Sequence, residues 1–321
     1  MDRKERAALV KYLIAYAIVG LFIFLVGCKD SVTNPVTDNT TLKTADKQAI
    51  QQIAEQDSAV ASFDANFDED QSMSFLSKEA TAIYPVFVWH HVILVNKSWS
   101  YNIVGDTAYV TLTKSFEGVL NIAASTTGSG PRTKPDTIIT KAFATTITRK
   151  LIFAHRDSTS NPLLNWKLVA ISLPQGGTNT NNIVINKLTL TFSSGKQIVI
   201  TSPNDYFFSR GPKAWGHFPE LKRNDSLTVN VEIYSAYADT DFVTVTYGAD
   251  KFGHHRENRK LKLISSTPSG SGFVKVFEQT YRSRQYPGFF HAVINAFTKQ
   301  TIYDDQAPVE AKFWGIPYLV R

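Results

Sequence analysis

The chain has 321 residues and a formal net charge of +6, with 43% hydrophobic and 12% aromatic residues. This content excludes an intrinsically disordered chain. Basic residues are spread along the whole sequence, which excludes the concentrated positive surface typical of nucleic-acid-binding proteins. The single cysteine, Cys28, excludes a disulfide within the chain, so the fold must be stabilised by core burial. The length is sufficient for two domains.

Residues 1–27 have the pattern of a targeting segment. Four basic residues stand near its start, at Arg3, Lys4, Arg6 and Lys11. An uncharged apolar stretch follows from Tyr12 to Val26. A membrane-spanning helix needs about 20 apolar residues, whereas the apolar part of a signal peptide is shorter. Hydropathy alone therefore fits both an uncleaved membrane anchor and a cleaved signal peptide.

The end of this segment, Leu25-Val26-Gly27-Cys28, resembles the lipobox of bacterial lipoproteins. The resemblance implies that residues 1–27 are a lipoprotein signal peptide, and that Cys28 carries diacylglycerol on its thiol and a fatty acyl chain on its new amino group. Several acyl chains together give stable membrane anchoring. Lys29-Asp30 resembles the surface-export signal of Bacteroidetes lipoproteins. We therefore expect a location in the bacterial cell envelope, at the outer membrane or the cell surface.

A polar segment over residues 28–43 predicts a flexible tether between the lipid and the folded body. Helical spacing then begins at Thr44, with Ile50, Ile53 and Ala54 on one face. A second helical pattern runs from Phe75 to Ile83 and ends before Pro85.

The segment 68–79, which overlaps the start of the second pattern, has the oxygen-ligand spacing of a calcium loop. Asp68, Asp70 and Glu79 are the candidate ligands, but Met73 stands where the sharp turn needs glycine. The alternative is an acidic helix N-terminus favoured by the helix dipole. Adjacent histidines such as His90-His91 would point to opposite faces of a strand, so we expect no zinc site. No cofactor is predicted apart from the lipid on Cys28.

Strand-like alternation follows Pro85, with a hairpin signal at Gly105-Asp106 and a closing strand at Asn165–Leu168. Two helices followed by a bent antiparallel sheet resemble the NTF2-like or cystatin-like α+β cone, over residues 44–174. The resemblance implies an inward pocket, in which Asp57 is the candidate general base. The alternative is that Asp57 caps a neighbouring strand or loop.

Residues 175–182 are rich in Gly, Thr and Asn and predict a linker. Beyond them, residues 183–321 contain many short alternating runs separated by turns. This pattern predicts an all-β sandwich of two sheets that resembles immunoglobulin-like modules. The predicted fold is therefore an α+β cone followed by a β-sandwich.

Two loops of the predicted sandwich combine aromatic and basic residues. The candidate binding residues are Trp215 and Phe218 in the first loop, and Arg282, Arg284, Tyr286 and Phe289 in the second. Exposed rings beside charged donors suit a glycan or a protein partner. The alternative is that the rings fold back and cover the ends of the sandwich.

Two classes of function remain at this point. The leading hypothesis is an envelope-anchored, non-catalytic lipoprotein with a binding or scaffolding role, whose partner is a glycan or an envelope protein. The alternative is a small-ligand-binding or catalytic NTF2-like domain with the sandwich as a spacer. The sequence contains no nucleophile elbow, P-loop or dinucleotide fingerprint, so no enzyme class is assigned.

Overall fold

A computed structural model describes residues 42–57, 59–60, 73–74, 83–127, 134–210, 219–249 and 256–321. The lipobox with Cys28, most of the tether, and Asp68, Asp70 and Glu79 lie outside these residues. The chain from Asn34 to Arg321 clusters into one compact unit. No helix in the described ranges is both long enough and apolar enough to cross a membrane.

The described part of the chain is mostly β-structure, in two antiparallel sheets. Its helices are α1 (Thr44–Gln56), α2 (Pro162–Asn165) and α3 (Lys299–Tyr303), with a 3-10 turn at Pro203–Asp205. The strands before residue 182 are β1 (Met73–Ser74), β2 (Tyr84–Val104), β3 (Thr107–Ser125), β4 (Thr137–His155), β5 (Trp166–Ser172) and β6 (Gln175–Gly177).

The later strands are β7 (Ile183–Phe192), β8 (Gln197–Ile200), β9 (Phe207–Ser209), β10 (Glu220–Leu221), β11 (Ser226–Ser235), β12 (Phe242–Ala249), β13 (Glu257–Lys260), β14 (Lys262–Ser269), β15 (Gly272–Arg282), β16 (Gly288–Phe297) and β17 (Ala311–Val320). The larger sheet has the order β1-β2-β3-β4-β6-β17-β16-β12-β13, with β5, β9 and β10 at its sides. The second sheet has the order β14-β15-β11-β7-β8.

Strands β2, β3 and β4 form a long meander of 21, 19 and 19 residues. The hairpin predicted at Gly105-Asp106 is present, because Val104 pairs with Thr107 across that turn. Alternating residues bury one face of the meander. The far end of the meander is the end that contains the Gly105-Asp106 turn. There α1 covers this face with Ile50 and Ala54, which join a core with Trp99 and Phe153. Asp46 in the first turn of α1 accepts a 3.0 Å hydrogen bond from Trp166 Nε1.

The opposite end of the meander, away from the Gly105-Asp106 turn, packs on the C-terminal elements. Phe116 and Leu120 of β3 share a core with Phe297 of β16, Ile302 of α3 and Phe313 of β17. A buried lysine also contributes to this contact. Lys141 of β4 donates a 2.7 Å hydrogen bond from Nζ to the Thr301 carbonyl oxygen within α3.

The short strand β6 connects the two halves of the larger sheet. It pairs with β4 on one side, where Gly176 faces Ile147, and with β17 on the other, where Gly176 faces Phe313. Residues 175–177 of the predicted linker are therefore hydrogen-bonded within a continuous sheet. Whether the regions before and after residues 175–182 are separate domains stays a prediction.

The predicted α+β cone with two N-terminal helices is wrong. The meander strands continue through β6 into β17, β16 and β12, so the sheet does not end as the wall of a small cone. Among the described residues, α1 is the one helix longer than five residues, and it covers only the far end of the meander. The second predicted helix, over residues 75–83, lies outside the described ranges except for Ile83, and Pro85 is already within β2.

The second half of the chain contains two facing sheets, which is compatible with the predicted sandwich. The inward faces of β7, β11 and β15 pack on β12, β16 and β17 through a large apolar core. Val231, Phe277 and Ile294 are fully buried within it. The larger sheet is nevertheless shared with the meander, which an isolated immunoglobulin-like module would not show.

Candidate ligand-binding site

A pocket of about 840 Å³ lies beside β12, β13 and the end of β15. We call it the arginine–tyrosine pocket, after its main lining residues Tyr247, Glu257, Arg259, Tyr281, Arg282, Arg284 and Tyr286. Its volume falls within the range of about 300–1,000 Å³ that small-molecule sites occupy. Three of the six residues that the sequence predicted for binding meet here.

Strand alternation and a tight turn position the β15 side of the pocket. Tyr281 points into the inter-sheet core, whereas the next residue, Arg282, is exposed. The chain then turns at Ser283, whose buried hydroxyl donates a 2.5 Å hydrogen bond to the Lys222 carbonyl oxygen. The same hydroxyl accepts a 3.0 Å hydrogen bond from the Asp225 backbone N–H. The loop that carries the pocket residues is thus fixed to the 222–225 turn.

Two stacked tyrosines form the aromatic wall. The rings of Tyr247 and Tyr281 have centroids 3.9 Å apart and an interplanar angle of 25°. Burial raises the pKa of both phenols, so both stay protonated and uncharged at neutral pH. Both rings are almost fully buried, so the stack supports the pocket from the core side, and the ring exposed to a ligand is that of Tyr286.

One glutamate, Glu257, accepts hydrogen bonds from both a tyrosine and an arginine of the pocket. Glu257 Oε1 accepts a 2.8 Å hydrogen bond from Arg284 Nη1, and Glu257 Oε2 accepts a 2.9 Å hydrogen bond from the Tyr247 hydroxyl. Arg259 Nε donates to the same hydroxyl at 3.4 Å. Both carboxylate oxygens are therefore occupied, and Glu257 is held in place as a structural anion.

Arg284 lies against the backbone of Gly248. Gly248 has a φ of +77°, and a Cβ atom at this position would overlap the Arg284 guanidinium. Glycine is therefore required both by the backbone conformation and by the close approach. Arg284 Nε is buried and has no hydrogen-bond partner within the described ranges. A buried donor without a partner is costly, so this side chain is held in place at some expense of stability.

The described lining of the pocket has a net positive charge. Among these residues three arginines face a single glutamate, and Arg282 makes no ion pair or side-chain hydrogen bond to any residue that the structure describes. Tyr286 is 74% exposed at the rim. The arrangement can therefore offer a free guanidinium and an exposed ring to a ligand that carries a negative charge.

The other predicted site residues lie elsewhere. Phe289 is half-buried and packs on the inter-sheet core and on the His291 ring, with centroids 5.0 Å apart, as the end-covering alternative expects. Trp215 and Phe218 lie outside the described residues, as do Cys28 and the calcium candidates Asp68, Asp70 and Glu79. Within the described ranges, no group of three or more His, Cys, Asp or Glu side chains could hold a metal ion.

Asp57 directly follows α1, and both of its carboxylate oxygens have partners. Its Oδ1 accepts hydrogen bonds from the backbone N–H groups of Ala59 at 2.9 Å and Val60 at 3.2 Å. Its Oδ2 pairs with the Arg210 guanidinium. This is the capping role that the sequence left open as the alternative to a general base.

Four of the seven main lining residues were missed by the sequence reasoning: Tyr247, Glu257, Arg259 and Tyr281. Tyr247 lies within residues 183–321, where the sequence predicted short strands, but its contact with Tyr281 depends on the packing of two sheets. No protein-family model matches the chain, and no curated protein is significantly similar to it in sequence.

Proposed function

We propose that this chain is an envelope-anchored, non-catalytic binding lipoprotein that holds an anionic ligand in the arginine–tyrosine pocket. The observation that carries the proposal is the excess of arginine over acid in a pocket of ligand size, with Arg282 free to pair. Guanidinium groups bind carboxylates and similar anions through two parallel hydrogen bonds. The lipobox at Leu25–Cys28 supports the location of this site in the cell envelope.

The aromatic residues favour a ligand whose anionic group is attached to a ring. Tyr286 offers an exposed ring at the rim, and the buried stack of Tyr247 and Tyr281 supports the pocket beneath it. Such rings pack well against the apolar faces of sugars. An acidic oligosaccharide combines the two required features, a carboxylate for Arg282 and a sugar face for Tyr286.

The occupied carboxylates favour binding over catalysis. Glu257 accepts hydrogen bonds on both oxygens from Arg284 and Tyr247, so it serves as a fixed counter-ion within the pocket. Asp57, the earlier candidate base, is held by Arg210 and two backbone N–H groups. The fold is also not the α+β cone in which Asp57 was expected to act as a general base.

A pair of oligosaccharides that match in shape but differ in charge tests the pocket. We expect trigalacturonate to bind the full chain in detergent, and its uncharged methyl ester to bind far more weakly. Replacement of Arg282 by alanine should weaken trigalacturonate binding by about tenfold or more, since a charge-assisted contact is lost. The affinity should also fall as salt is raised, because exposed charges are screened. Isothermal titration calorimetry measures each value.

Arg156→Ala is the matched control, because Arg156 is also exposed and makes no ion pair or side-chain hydrogen bond to the described residues. Its affinity should equal that of the wild type. Equal affinity for the acid and its ester, or equal loss in the Arg156 and Arg282 variants, would contradict the proposed pocket.

The anchor is tested separately at Cys28. Metabolic labelling with a fatty-acid probe should mark the wild-type chain and leave Cys28→Ser unlabelled, because the lipid is expected only on that thiol and on the amino group that its processing releases. Ser31→Ala, three residues further along, should be labelled as strongly as the wild type. If Cys28→Ser is labelled to the same extent as the wild type, the lipoprotein assignment is wrong.

A further inference from the structure

A second cavity, of about 1220 Å³, lies on the opposite face of the meander from α1. It is bounded by β3, β4, β6 and the ends of β7 and β8. We call it the threonine cleft, after its lining by hydroxyl and amide side chains, which include Ser115, Thr146, Thr148, Asn179, Asn181 and Thr201. Strand alternation accounts for this face, since Thr146 and Thr148 point away from the core residue Ile147 between them.

The cleft differs from the arginine–tyrosine pocket in its charge. Glu117 and Lys312 are the only charged side chains among its described lining residues. Lys312 is already engaged, since its Nζ donates a 3.0 Å hydrogen bond to the Thr178 carbonyl oxygen. Burial also lowers the pKa of Lys312, which makes its charged form less favourable there. The lining is therefore close to neutral and rich in groups that both donate and accept hydrogen bonds.

Several of these polar groups are available to a ligand. Within the described part of the chain, the side chains of Ser115, Thr146, Asn179, Asn181 and Thr201 make no hydrogen bond to protein atoms. They come from three separate parts of the chain: the meander, the segment after β6, and the end of β8. Their convergence around one cleft brings several donors and acceptors within reach of a single ligand.

Size and apolar content narrow the class of ligand. The volume is larger than the range of about 300–1,000 Å³ typical of small-molecule sites, so an extended ligand fits better than a single small molecule. Val95, Ala144 and Val184 contribute apolar surface, and the largely buried Trp314 also reaches the lining. A neutral sugar chain presents the matching surface, because its hydroxyl groups pair with amides and hydroxyls while its C–H faces pack on apolar groups.

We propose that the threonine cleft binds a neutral oligosaccharide chain. This site is independent of the arginine–tyrosine pocket, and its ligand is recognised by hydrogen bonds and not by charge. Binding should therefore be insensitive to salt, in contrast to the binding of an acidic ligand by arginines.

The test is retardation of the full chain, in detergent, on native gels that contain dextran, galactomannan or xyloglucan. We expect at least one of these neutral polysaccharides to retard the chain, equally at about 0.05 and 0.5 M NaCl. The double variants Thr146→Val/Thr201→Val and Asn179→Ala/Asn181→Ala should each weaken that interaction by about tenfold, from the loss of two hydrogen bonds. Thermal unfolding should be close to that of the wild type, since all four residues are exposed.

Two controls separate this cleft from the rest of the surface. Thr267→Val changes an exposed strand threonine elsewhere, and Arg282→Ala removes the free guanidinium of the other pocket. Both should be retarded like the wild type. The proposal is overturned if none of the three neutral polysaccharides retards the chain, or if both cleft variants are retarded as strongly as the wild type.

Discussion

Replacement of Lys275 by methionine is expected to lower the free energy of unfolding by about 3–5 kcal/mol. Lys275 and Asp241 form an ion pair with a 2.6 Å N–O distance, and both side chains are 0% exposed. Removal of the lysine leaves a buried carboxylate without its cation, which costs far more than the loss of a surface pair. Chemical denaturation followed by tyrosine and tryptophan fluorescence measures the change.

The size of this defect should depend on pH. Burial raises the pKa of Asp241, while the hydrogen bond and charge of Lys275 oppose that shift. Without Lys275 the largest opposing contributions disappear, so the folded-state pKa rises further above the unfolded value of about 3.9. A raised folded-state pKa gives stability that is present below the unfolded pKa and lost as the pH rises through the folded pKa. The variant should therefore be less destabilised near pH 4 than at pH 7.

Two further variants isolate the effect of burial. Lys187 and Glu232 form a pair at the same 2.6 Å distance, on β7 and β11, but their side chains are 40% and 23% exposed. Lys187→Met should cost less than about 1 kcal/mol, because partly exposed pairs contribute little. The double variant Lys275→Met/Asp241→Leu should recover most of the lost stability, since apolar replacements of buried pairs are often tolerated. A loss in Lys275→Met no larger than that in Lys187→Met would contradict the argument.

Lys275 also shows where sequence patterns stop being informative for the fold. Alternation in β15 places it in the same row as Phe277 and Tyr281, which belong to the inter-sheet core. The pattern predicts the strand correctly, but a lysine at a core position requires a buried partner. That partner, Asp241, lies 34 residues earlier and outside any strand. Local periodicity detects strands, whereas the pairing between distant elements depends on the tertiary fold.

The same limit applies to the cone prediction. The hairpin at Gly105-Asp106 depends on neighbouring residues and was predicted correctly. The continuation of the meander through β6 depends on pairing between Gly176 and Phe313, which are far apart in the sequence. A segment with two glycines has the composition of a linker, and only the close approach of two other strands shows that it is one strand of a sheet.

Part of the candidate site was predictable from composition. Arg284 and Tyr286 stand in a loop and Arg282 ends the strand before it, so the types of these residues could be considered apart from core packing. Glu257 and Arg259 lie on β13, which the sequence did not predict, and only the pairing of β12 with β13 brings them to Tyr247. The threonine cleft was missed for a similar reason, because its residues come from three distant segments that are each typical of solvent-exposed strands and loops.

The second large effect is expected at Gly176, the centre of β6. Gly176→Val should lower the free energy of unfolding by about 3 kcal/mol or more, since the backbone must move to make room for the side chain. A Cβ atom at this position would overlap the Thr146 carbonyl oxygen on β4 and approach Ile147 Cδ1 to 2.7 Å. The strand also pairs with β17, so it cannot move away freely. Gly105→Asn is the control, because no atom lies within 4 Å of a Cβ there and asparagine tolerates a positive φ.

The shape of the unfolding transition in Gly176→Val decides how the two halves of the chain are related. Because β6 is hydrogen-bonded to β4 and β17, the meander and the second half should unfold together, and differential scanning calorimetry should show one transition shifted to lower temperature. Two separate domains would instead give two transitions, with at least one unchanged by the substitution. An unfolding curve equal to that of the wild type would show that β6 does not join the sheet as described. A single shifted transition would show that residues 175–177 act as an internal strand, and that the meander, with its threonine cleft, depends on the second half of the chain for its stability.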